Sequence, residues 1–148
     1  MSSSLRHQAR EAALQALYFW DVGGAAPDEA LDGVFAEHLP DAPDTVRGFA
    51  ETLVRGTVLA HEDIDALIDR QASHWRLERL AVIDKLILRM AVWELQHQPD
   101  TPPAVIVNEA LELARTFSAD ESVKFVNGVL DGIRRSLTHD PGLKHLGS

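Results

Sequence analysis

The segment KFVNGVLD, residues 124 to 131, sets a cation, an aromatic ring and a side-chain amide almost side by side in Lys124, Phe125 and Asn127. Those three groups suit one kind of chemistry. Bases of single-stranded RNA stack on aromatic faces, at about 1 to 3 kcal/mol per base, while Lys and Arg neutralise phosphates and an amide reads a base edge or sugar. The N-terminal segment holds a comparable set in Arg6, Arg10 and Tyr18.

Which of these groups can act depends on the elements that carry them. Asn127-Gly128 alone would signal a hairpin turn. Yet Val123, Val126, Leu130, Ile133 and Leu137 recur at helical spacing, so the segment lies within a helix. On that helix Phe125 falls about 120° from the Val126/Leu130 stripe, on a side shared with Lys124, Gly128, Gly132 and Arg135. Gly128 there would let a ligand backbone or another helix come close. In the first helix Leu5, Ala9, Ala12, Ala13, Ala16 and Trp20 form one stripe. Tyr18, with His7, Glu11 and Leu14, points nearly opposite, and Arg6 and Arg10 lie along a flank. Spacing leaves a second reading open, in which Tyr18 and Phe125 pack against neighbouring helices of a bundle.

Other chemistries find no anchor. HEDID at 61 to 65 lacks the second His of a metalloprotease helix, and no two histidines stand i, i+4 apart as a ligand pair beside an acidic partner. No Gly-rich phosphate loop, dinucleotide fingerprint or nucleophile elbow is present, so neither cofactor nor metal is expected and the chain reads as a non-enzyme. Glu109 and Glu112 beside Arg115 are explained by a surface ion pair one helical turn apart.

The chain has 148 residues, 45% of them hydrophobic, which suffices for one domain with a real core. Cysteine is absent, which rules out disulfides and thiolate-bound zinc. No window approaches the roughly 18 apolar residues of a membrane span, and the N-terminus lacks a signal-peptide core, so a cytoplasmic protein with no membrane partner is expected. A net charge of -9 argues against a broad nucleic-acid-binding face. Acid is concentrated in the middle, where Asp28, Glu29, Asp32, Glu37, Asp41, Asp44 and Glu51 are set against Arg47 alone. The two ends carry Arg6, His7, Arg10 and Lys124, Arg134, Arg135, Lys144, enough for a small basic patch drawn from both.

Periodicity is helical throughout. A first helix from about Ser4 to Val22 stops at Gly23-Gly24, and a short second one opens with Pro27 and ends near Pro40. A long third helix follows Asp44 as N-cap, with Gly56 as a point of bending. After a break near Ser73-His74, LERLAVIDKLILRMAVWELQ forms a fourth, stopped by Pro99. Thr101 caps a fifth, and Ser118-Ala119-Asp120-Glu121 fits a capping box that starts the sixth. The expected class is all-α: two small helical bundles, about 4–72 and 73–138, packed as one domain over 1–138, with a mobile tail at 139–148.

Taken in order, REA at 10 to 12, QALY at 15 to 18, IDKLILRMAVWEL at 83 to 95, VNEALELARTF at 107 to 117 and KFVNGVLD resemble the NusB transcription antitermination family across nearly the whole chain. The resemblance implies a non-enzymatic role. Such proteins pair with NusE, the tenth small-subunit ribosomal protein, and bind the single-stranded boxA element of nascent ribosomal RNA within the RNA polymerase antitermination complex. The family's RNA-binding surface maps onto Arg6 and Arg10 with Tyr18 nearby, and onto Lys124, Phe125 and Asn127. For the NusE-facing side the nominated acids are Asp84 and Glu121. Family members occur as monomers and as homodimers, so a protein-only interaction module remains the rival.

One departure from the family has a physical consequence. The first helix of such proteins often begins with a dense arginine run, whereas SSSLRHQAR is dilute in charge. Fewer neutralised phosphates imply weaker binding by the chain alone, more reliance on NusE and a shallower salt dependence, at about -0.7 per phosphate in the log-log slope.

Overall fold

The computed structural model describes residues 1–72 and 80–139. Among them all regular structure is helical: α1 (Ser3–Asp21), α2 (Pro27–His38), α3 (Asp44–Gln71), α4 (Val82–His97), α5 (Pro103–Phe117) and α6 (Asp120–His139). The expected break at Ser73-His74 and the tail beyond His139 lie outside the described residues. Two compact units emerge, 1–58 and 59–148. The division therefore falls inside α3, earlier than the sequence break suggests. The helix runs unbroken through Gly56, and its first half serves one core while its second half serves another.

In the first unit, Ser2 caps α1 by accepting a hydrogen bond from the Leu5 amide at 3.2 Å. Ala9, Ala13 and Ala16 are fully buried, and their small side chains let α2 approach closely. Leu17, Leu31, Val34, Phe35, Val46, Leu53 and Val54 complete this core. The α1–α2 turn needs glycine at two positions: Gly24, whose φ of 72° lies in the left-handed region, and Gly23, where a Cβ would lie 2.8 Å from the Phe19 carbonyl oxygen. The acids of α2 face two arginines of α3 rather than Arg47 alone: Arg47 pairs with Asp32 and Glu51, and Arg55 with Asp28. Hydrogen bonds to Asp32 and Asp28 respectively raise the pKa of each guanidinium above its usual value. These pairs are largely solvent-exposed and contribute little stability.

The second unit is organised around α4, which is buried on nearly every side, as an almost continuously apolar helix must be. Helices α5 and α6 pack against it and against each other. Arg89, 5% exposed, donates two hydrogen bonds to Asp65 of α3, at 2.7 and 2.8 Å, so a buried cation is paired fork-on-carboxylate with an acid.

The corner between α5 and α6 departs from the expected capping box. Ser118 Oγ donates to Asp84 Oδ1 at 2.6 Å, and Ser122 Oγ donates to Asp84 Oδ2, also at 2.6 Å. Asp84 thus sits in the first turn of α4, where a carboxylate suits the helix dipole, and fastens that turn to the α5–α6 corner. With its carboxylate occupied and its exposure at 7%, Asp84 is a structural tie rather than the partner-facing acid expected from the sequence. Thr101 likewise does not cap α5, whose N-cap is Pro102.

Candidate functional site

The residues singled out for RNA binding lie on two helices belonging to different units, and each helix is taken by itself. On α1, Arg6 is exposed in the first turn. Arg10 is not available: it is 2% exposed, and its guanidinium carbon lies 5.3 Å from the centroid of the Phe49 ring on α3. The expectation that Arg10 neutralises a phosphate is therefore corrected. A long apolar stem and a weakly hydrated guanidinium allow arginine to be buried against an aromatic face, where a cation–π contact stabilises it.

The same rotation of α1 buries Leu14, at 1% exposure, although the wheel had grouped it with Tyr18. Tyr18 itself is 39% exposed, as expected, and meets Phe19 edge to face with ring centroids 6.2 Å apart and planes at 79°. Phe19 and Val22 are also exposed, so the end of α1 presents three large apolar side chains in succession. Sequence reasoning missed Phe19 and Val22. The signal for Val22 was present, since it stands one turn beyond Tyr18 and shares its face. On the same side His7 pairs with Glu11 at 2.6 Å, placing a partner for the one acid of that face.

On α6 the expected orientation is found. Val126, Leu130, Ile133 and Leu137 point inward, each 4% exposed or less. Lys124 and Asn127 are exposed, and Phe125 is half-buried between the two sides. Glu121 is exposed in the first turn, and Arg135 pairs with Asp131 at 2.7 Å one turn apart.

The two glycines of this helix have different causes. A Cβ on Gly132 would lie 2.2 Å from Oε1 of Gln71, whose Nε2 donates to Ser136 Oγ at 2.9 Å. Gly132 thus leaves room for the Gln71 side chain of α3, whose flexible end would have to shift to admit a Cβ. A Cβ on Gly128 would meet nothing within 4 Å.

Arrays of exposed ring, amide and cation on all-helical scaffolds are not unique to one family, so comparison with known proteins decides the assignment. The NusB family model matches residues 7–135. A transcription antitermination protein NusB from Desulforapulum autotrophicum is 44% identical over 140 residues, spanning 94% of this chain and 97% of the relative. This chain belongs to the NusB family.

Solved NusB structures share the architecture. NusB of T. maritima superposes with a TM-score of 0.81 at 32% identity, covering 88% of this chain and 90% of that one. A second solved structure, of antitermination factors NusB and NusE in complex with double-stranded RNA, gives a TM-score of 0.82 at 30% identity over 91% of this chain and 99% of the other. Within the family match lie all the candidate residues except Arg6, which precedes it by one position. The all-helical fold expected from periodicity is the fold of the NusB family.

Proposed function

We propose that this NusB-family chain acts in transcription antitermination, binding boxA-type single-stranded RNA of nascent ribosomal transcripts together with NusE, in the cytoplasm and as part of an RNA polymerase complex. The reading draws on the family match and on one structural observation in particular. On α6 an exposed cation, Lys124, lies around the helix between an exposed amide, Asn127, and a half-buried ring, Phe125. That arrangement suits a strand crossing the helix: a phosphate beside Lys124, a base over Phe125 on one flank, and a sugar or base edge of a neighbouring nucleotide at Asn127 on the other. Arg6 adds a phosphate contact and Tyr18 a stacking surface on α1. Glu121 is the remaining candidate for the NusE side. The chain works by binding and placement, with no covalent step.

A fluorescence titration with a boxA-type oligonucleotide, run with and without NusE, tests this reading. Affinity should rise when NusE is added and should exceed that for a scrambled RNA of equal length. Equal affinity for the scrambled RNA in the presence of NusE would remove the sequence-specific part of the proposal.

A second reading rests on Phe19 and Val22, 50% and 54% exposed beside Tyr18. An apolar end of α1 with no cation in its last turn also suits self-association into a homodimer. Sedimentation of the wild type and of Phe19→Ser separates the two readings: a shift from dimer to monomer with unchanged RNA affinity favours the homodimer interface.

A further inference from the structure

We infer that Gly128 is a clearance residue for bound RNA, a position where the sugar-phosphate backbone lies flush on α6 and where any side chain would obstruct it. This deepens the RNA-binding reading and rests on it. Gly128 carries a cost the fold does not need to bear. Gly128 lies in the interior of a helix, where glycine is less favourable than alanine. Nothing within the described fold requires glycine there. Its φ is not positive, and a Cβ would sit in open space, unlike that of Gly132, which would collide with Gln71.

Its surroundings point to what needs the space. Around the helix Gly128 falls between Lys124 and Phe125, one turn beyond both. Helical side chains lean toward the N-terminus, so a side chain at 128 would cover the very turn that carries the ammonium and the ring. A nucleotide stacked on Phe125 with its phosphate at Lys124 would meet that side chain directly. Asp131, the acid one turn on, is engaged by Arg135, which limits repulsion of a phosphate there, while Glu121 stands two turns back at the helix start.

Two other helical glycines serve as internal controls. Gly33 on α2 and Gly48 on α3 are likewise exposed, with nothing within 4 Å of a Cβ, and neither has a candidate RNA contact within one turn of its own helix. The experiment compares Gly128→Ala and Gly128→Leu with Gly33→Ala and Gly48→Ala in the full chain. Thermal unfolding and titration of a boxA-type RNA in the presence of NusE are measured, together with NusE binding in the absence of RNA.

All three alanine variants should unfold a few degrees higher, on the order of 2 to 6 °C, because each removes an unfavourable helical glycine without a clash. Only substitutions at Gly128 should weaken RNA binding, about tenfold for alanine and more for leucine, with NusE binding unchanged. RNA affinity of Gly128→Leu equal to that of the controls would overturn the inference, as would loss of NusE binding without RNA, which would assign the surface to the protein partner. Phe125→Ala separates the two levels: if it weakens RNA binding while Gly128→Leu does not, the RNA reading stands and the clearance role alone falls. A wild type that does not distinguish boxA from scrambled RNA removes both.

Discussion

Helices α1 and α6 carry the same three kinds of group, a cation, an aromatic ring and polar neighbours, yet the fold uses them differently. On α6 the cation and the amide face solvent while the aliphatic stripe faces the core. On α1 the central cation, Arg10, belongs to the core, and the aromatic end faces out. The difference lies in how each helix buries its mass. In α6 Val126, Leu130, Ile133 and Leu137 concentrate bulk on one side and fix the rotation. In α1 most of the buried residues are alanines, which contribute little area each and leave the rotation to larger neighbours. Leu14, Leu17 and the stem of Arg10 then decide it. A guanidinium that reads as a nucleic-acid contact in sequence becomes a packing element once Phe49 offers it a face.

The contrast can be broken most forcefully at the buried polar ties. Asp84→Ala removes the acceptor of two seryl hydroxyls at the start of α6, and should lower the unfolding free energy by about 3 kcal/mol, at about 1.5 kcal/mol for each hydrogen bond to a charged group. Urea denaturation checks this. Loss of NusE binding in a variant that unfolds like the wild type would return Asp84 to the partner surface.

Arg10→Ala should cost about 2 kcal/mol through the lost cation–π contact and stem packing. In the same comparison Lys124→Ala should leave stability within about 0.5 kcal/mol of the wild type, as surface substitutions usually do. If Arg10→Ala instead unfolds like the wild type and binds RNA more weakly, the distinction between the helices is lost.

Phe125→Ala and Tyr18→Ala should each weaken RNA binding by about 1 to 2 kcal/mol, the value of one stacked base, read in the NusE-dependent titration. A loss at Phe125 without one at Tyr18 would sharpen the contrast further, leaving α1's aromatic end to a protein contact. The smallest effect concerns salt. Lys124→Ala and Arg6→Ala should each reduce the magnitude of the log-log salt slope by about 0.7, and Arg10→Gln should leave it unchanged because the Arg10 guanidinium is buried against Phe49. Titrations at several salt concentrations measure all three slopes.

Much of the fold was legible in the sequence because the elements announce themselves locally. Apolar spacing, Pro27, Gly23-Gly24 and Pro99 are properties of short segments, and six helices follow from them with ends displaced by a few residues. The capping box was misplaced for an instructive reason. Ser118-x-x-Glu121 has the right spacing, but Ser118 ends α5 and its hydroxyl donates to Asp84, far away in sequence. In a capping box the hydroxyl oxygen accepts from a backbone N–H, whereas here the hydroxyl is oriented by donating to a charged carboxylate. The α6 part of the candidate site was readable for the same reason as the helices, since one stripe of bulky aliphatics orients every other side chain.

The sequence by itself determined the helical class, the membership signalled by its ordered motifs, and which face of α6 meets solvent, because periodic burial is a one-dimensional signal. Only the tertiary structure decided that Arg10 is core, that Asp84 is a tie, that α3 divides its length between two units, and that Gly132 abuts the Gln71 side chain while Gly128 stands open. Each of these depends on a partner distant along the chain, and no spacing rule within a segment can say which distant group will arrive to accept a proton, cover a ring or fill the space above a glycine.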